Sequence, residues 1–190
     1  MPDFDYYQVY LQAGLQELEP YLISDQLFWT VNTSPSLGEP GYPKFTLGEF
    51  LFFGLCARTL AKTASQAASV HSIEAQTNNY HTRWQVAWER KASWEFSSRL
   101  RQWGNVLKEI RLDPEEHLDY YRYEVRWRVF IQLLLPEIRS LETAQQEQLD
   151  GQDLLLRAFF NPGDFIWEPD LAPGFPSDPY WFLWGYPRKV

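Results

Sequence analysis

From Trp84 to Ile110 an apolar residue returns at every third or fourth position. Trp84, Trp88, Ala92, Phe96, Leu100, Trp103, Leu107 and Ile110 form one stripe with a mean step of about 3.7. A strand would scatter these residues over two faces, whereas a helix gathers them on one. The stripe predicts a helix of roughly 30 residues, about 45 Å long, with its rings in a core. Arg90, Lys91, Arg101 and Lys108 fall on the opposite, polar face. An amphipathic rod of this length needs neighbours to cover its apolar side.

Those neighbours are visible in the same periodicity. Phe4, Tyr7, Leu11, Leu15, Leu18 and Leu22 step by three and four, with Asp3 as a cap and Pro20 expected to stop or kink the helix near Glu19. Thr46 with Glu49 reads as a capping box opening a second helix that runs to about Gln76. Gly54, Ala57, Ala61, Ala64 and Ala68 would give it a small-residue seam for close packing. Thr77, Asn78 and Asn79 predict a turn. Asp113, Pro114 and Glu116 start a further helix, apolar on two faces after Trp127 and kinked at Pro136. A short last helix is expected around Asp153 to Phe160, after Gly151.

Two segments lack helical period. Residues 28–45 carry Pro35, Gly38, Pro40, Gly41 and Pro43 and predict a long loop that wraps the helices through Phe28, Trp29 and Tyr42. Residues 161–190 hold six Pro, three Gly and eight aromatics. Disordered segments are poor in rings, so this tail is expected to be ordered by docking. The expected architecture is all-α: an up-down antiparallel bundle of four to five helices over residues 1–160, then an extended Pro/aromatic-rich tail over 161–190, packed on the bundle or on a partner.

Cys56 is the only cysteine, so no disulfide forms within the chain, and its apolar setting predicts a buried thiol. The start lacks the basic and apolar regions of a signal peptide. Unbroken apolar stretches reach only about eight residues, too short for a bilayer. No membrane association is expected, and the cytoplasm is the expected location. Net charge is −8. Residues 79–139 hold eleven Lys/Arg against nine Asp/Glu, and both flanking regions are acidic. Positives diluted in this way argue against a nucleic-acid footprint.

Candidate chemistry is sparse. His71, Glu74, Asn78 and His81 would share a face on an unbroken helix, the arrangement a metal or acid/base site needs, but the expected turn at Asn78 undermines it. No Glu lies three residues before any His, so the bundle di-iron motif is absent, and neither a metal nor a cofactor is called for. Glu115, Glu116, His117 and Asp119 are explained by the favourable field at a helix start. Glu124 and Arg128 are spaced to pair on one face beside Trp127, and together would form the polar element of a ligand pocket. No phosphate-binding glycine loop and no Gly-x-Ser-x-Gly elbow occurs.

The leading expectation is therefore a protein-interaction or adaptor subunit with a protein partner or a second copy of itself. Tyr180, Trp181, Phe182, Trp184 and Tyr186 are its expected interface. The alternatives are an aromatic-lined pocket for a small molecule or cofactor between helices, and a metal-assisted enzyme built on His71, Glu74 and His81.

Overall fold

The computed structural model describes residues 2–188. The protein is mostly helical, with 70% of residues in helix and one small two-stranded sheet. Eight α-helical segments stand among the described residues, where four to five were expected. The chain divides into two compact units, Met1–Glu95 and Phe96–Val190.

In the first unit, α1 spans Phe4–Ile23, α2 Leu47–Leu60 and α3 Ala64–Arg83, and α4, Gln85–Leu112, begins there. Asp3 accepts from the Tyr6 amide at 3.1 Å and caps α1. Pro20 does not end this helix, which continues to Ile23. Tyr21 and Leu22 are fully buried in its last turn. Their burial, together with the Arg90 guanidinium that donates to the Leu22 carbonyl at 3.1 Å, outweighs the missing proline donor. The unit has a ring-rich core: Tyr10 lies 4.1 Å from Phe53 between centroids, and Tyr7 meets the same ring edge-on at 5.1 Å. The loop before α2 is pinned to α1. Tyr42 donates its hydroxyl to the Tyr6 carbonyl at 3.0 Å, and the Trp29 indole donates to Glu17 at 3.0 Å. Phe28, expected to help, is about half exposed.

The helix predicted from Thr46 to Gln76 is two helices. Thr63 and Gln66 form a reciprocal capping box that opens α3, and the chain breaks just before it. The break removes the proposed seam: Ala64 and Ala68 are exposed, and a Cβ at Gly54 would meet nothing. The expected turn at Asn78 and Asn79 is absent. Asparagine's turn preference is weak against a helix already anchored by buried Val70 and Ile73, and α3 runs on to Arg83 with Trp84 as its cap.

The stripe is core from Trp88 on: Trp88, Ala92, Phe96, Leu100, Trp103, Leu107 and Ile110 are all buried, whereas Trp84, expected to open it, is half-buried and caps α3. Lys91, assigned to the polar face, is also fully buried.

In the second unit, the helix expected from Pro114 is divided into α5 (Pro114–His117), α6 (Tyr121–Glu124) and α7 (Arg126–Leu134). A 3-10 turn over Leu118–Tyr120 separates the first two. Pro136 falls in a terminal 3-10 turn and ends the run rather than kinking it. The last helix, α8, spans Thr143–Ala158 and carries Gly151 in its interior. Its start is a Glu142/Gln145 capping box that outweighs the glycine cost of about 1 kcal/mol.

The tail is ordered throughout its described residues; Lys189 and Val190 lie outside them. Strands β1 (Phe160–Phe165) and β2 (Trp184–Pro187) pair antiparallel, with a bulge between Pro162 and Phe165. Gly185 makes the pairing feasible. Its φ is +132°, and a Cβ there would stand 2.1 Å from the Asn161 carbonyl oxygen. Phe175 and Phe182 are fully buried, and the Tyr121 hydroxyl donates to the Phe182 carbonyl at 2.6 Å.

Candidate aromatic docking site

The turn from Pro176 to Leu183 sorts the tail's rings into two sets. The Tyr180 amide donates to the Pro176 carbonyl at 3.1 Å, and the Leu183 amide to the Tyr180 carbonyl at 2.9 Å. This geometry sends Phe182 and Leu183 inward and leaves Trp181 and Trp184 half-buried. Trp184 is held by its indole N–H, which donates to the Phe175 carbonyl at 2.9 Å. Phe160 meets Trp181 edge-on at 5.4 Å. Arg157, in the last turn of α8, lies over Trp181 with its guanidinium carbon 3.7 Å from the ring centroid. Together with Pro162 and Ser177 these four residues line an open cleft of about 280 Å³.

The five expected interface residues are thus divided. Trp181 and Trp184 share the cleft. Tyr180 and Phe182 are buried in the unit's own core, and Tyr186 is exposed, with its ring 6.1 Å from that of Tyr121. Arg157, Phe160, Pro162 and Ser177 were not singled out from the sequence. Only the proximity of Arg157 to a helix end and of Phe160 to the aromatic tail hinted at them.

The other two candidate clusters are tied up in contacts of their own. Arg128 is buried and turns to Asp153, donating through Nε and Nη2 at 2.8 Å each, with Phe182 4.6 Å beneath it. Arg128 is committed to Asp153, and the expected pair with Glu124 at four-residue spacing does not form. Glu124 has one buried oxygen without a hydrogen-bond partner. Burial, then the neighbouring Glu109, pushes its carboxyl pKa up, while His117 opposes the shift. Trp127 lies under the Arg99 guanidinium at 4.7 Å.

His71 and Glu74 are 3.6 Å apart, but Glu74 is already held by Arg58, whose Nε donates to it at 2.7 Å. His81 packs edge-on against Trp88. No group of three His, Cys, Asp or Glu among the described residues is placed to hold a metal ion.

Buried charges at two helix ends escaped the sequence reading. Glu95 accepts from the Thr46 hydroxyl at 2.6 Å and the Gly48 amide at 2.7 Å, which places a carboxylate at the start of α2. A side chain at Gly48 would collide with it, the Cβ falling 2.8 Å from the carboxylate oxygen. One turn earlier, Lys91 donates to the Ser24 hydroxyl and the Gln26 carbonyl just past the end of α1. Burial, then the charge of Arg90, pushes its amine pKa down to about 8. These groups close helix ends.

Searches among known families, curated proteins and solved structures find no match to this chain.

Proposed function

We propose that this protein is an interaction module that docks a peptide segment of a partner in its aromatic cleft. The observation that carries the reading is the group of Trp181, Trp184 and Arg157 around a cleft on the surface. Tryptophan and arginine are the side chains that most often dominate binding energy at interfaces. The two indoles are half-buried, so their positions are held before any ligand arrives, which lowers the ordering cost of binding. At about 280 Å³ and open, the cleft is at the small end for a site that engulfs a metabolite, and suits an anchor side chain of a longer segment. The cytoplasmic setting belongs to the same proposal.

A displayed random-peptide library panned against the full chain tests the reading. Ser177 is exposed at the rim, so Ser177→Trp fills the cleft without touching the core. Enriched peptides should bind the unaltered protein and lose binding to Ser177→Trp at an unchanged melting temperature. No enrichment, or peptides indifferent to the substitution, would reject the docking role.

A further inference from the structure

The geometry points to an anionic peptide as the occupant: a short segment with a carboxylate flanking a large apolar side chain. The inference rests on the docking reading above and adds the chemistry of the ligand. Arg157 is the only charged side chain among the six lining residues. Its place in the last turn of α8 is favourable for any cation, because helix carbonyls leave negative charge there. That explains why a cation is present, but not how it lies. The guanidinium carbon stands 3.7 Å from the Trp181 ring centroid, within stacking distance. Stacking engages the face of the group and leaves its in-plane N–H donors directed outward. Among the described residues the Arg157 side chain makes no hydrogen bond and no ion pair.

A second cation stands close by. Arg188 follows β2 and reaches the carbonyl of Ala158, the residue next to Arg157, at 3.5 Å. Asp153, one turn back on α8, is already committed to Arg128. A planar fork of donors resting on an indole is a receptor for a planar anion, and a carboxylate takes two of its N–H bonds in parallel. Phe160, Pro162 and Trp184 then offer apolar surface to the residue beside that carboxylate.

Aromatic rings and arginine also serve single-stranded nucleic acids, but those need a track of cations along the phosphates. Residues 140–190 hold three Lys/Arg against eight Asp/Glu, which is the opposite of such a track. A peptide bearing one or two carboxylates asks for no more positive charge than the cleft has.

The test uses peptides recovered by panning, resynthesised in pairs that differ only as Glu or Gln beside the apolar residue, and titrated into the full chain. On the unaltered protein the Gln twin should bind about tenfold more weakly. On Arg157→Gln the two twins should bind alike. Arg157 is exposed, so this substitution leaves the core intact. Arg157→Lys should recover only part of the difference, since an ammonium cannot form the parallel pair. Twins that bind the unaltered protein equally, or a difference that survives Arg157→Gln, would overturn the anionic assignment while leaving the docking role standing. Failure to recover any peptide sensitive to Ser177→Trp would remove both. A uridine oligonucleotide that displaces the Glu peptide and binds more tightly would also overturn it, in favour of nucleic acid.

Discussion

Each of the two units sets a cation on an aromatic ring near the end of a helix, with opposite consequences. Near the end of α1, Lys91 lies 4.3 Å from the centroid of Tyr21, fully buried, with its donors directed to Ser24 and Gln26. Near the end of α8, Arg157 lies 3.7 Å from that of Trp181, exposed, with its donors unused among the described residues. The ring contact and the helix-end field are common to both. Burial separates them. A charge out of water must find partners within the fold and so becomes part of its framework. A charge on an open ring keeps its hydration and can exchange it for a ligand.

The largest expected effect falls on the buried side of this comparison. Glu95→Ala takes away the acceptor of the Thr46 hydroxyl and the Gly48 amide at the start of α2. Leaving two buried donors unsatisfied costs about 2–6 kcal/mol, to be read in chemical denaturation. A loss below about 1 kcal/mol would mean that water replaces the carboxylate and that the site is more open than its burial implies.

A smaller effect concerns Lys91. Its amine pKa is about 8 in the folded chain against 10.5 for the unperturbed side chain. Between those values the unfolded state binds more protons, so the Lys91 contribution makes stability rise with pH across that window. Below about pH 8 both states are protonated and the contribution is flat. Lys91→Met should remove the rise, measured as the difference in unfolding free energy between variant and parent from pH 7.5 to 9.5. Parallel pH profiles for the two proteins would contradict the burial that sets Lys91 apart from Arg157.

The smallest effect is expected at Arg157 itself. Arg157→Gln should change stability by less than about 0.5 kcal/mol, as exposed substitutions do. A loss of several kcal/mol would place Arg157 with Lys91, as framework rather than as a receptor.

Periodicity was enough to locate the α4 stripe, and the buried rings from Trp88 to Trp103 follow from spacing alone. Start signals were legible where residue type decides locally: Asp3, Thr46 and Asp113 all cap as their chemistry requires. The Thr63/Gln66 box was equally legible in kind, but a run of alanines invited one long helix across it. Of the candidate site, Trp181 and Trp184 were visible as unusual rings in a tail without period. Their company was not, because Arg157 and Phe160 are more than twenty residues away in sequence.

The sequence by itself thus determined a mostly helical chain with a ring-built core and an aromatic tail. These are properties of spacing and side-chain type, which act over a turn or two of chain. Only the tertiary structure decided which charges are buried and which rings stay open. Lys91 and Arg90 are adjacent in the chain, yet Lys91 is fully buried and Arg90 exposed. Trp181 and Phe182 are adjacent too, and only Phe182 is fully buried. Exposure depends on what distant segments bring alongside a residue, and no local pattern contains that information.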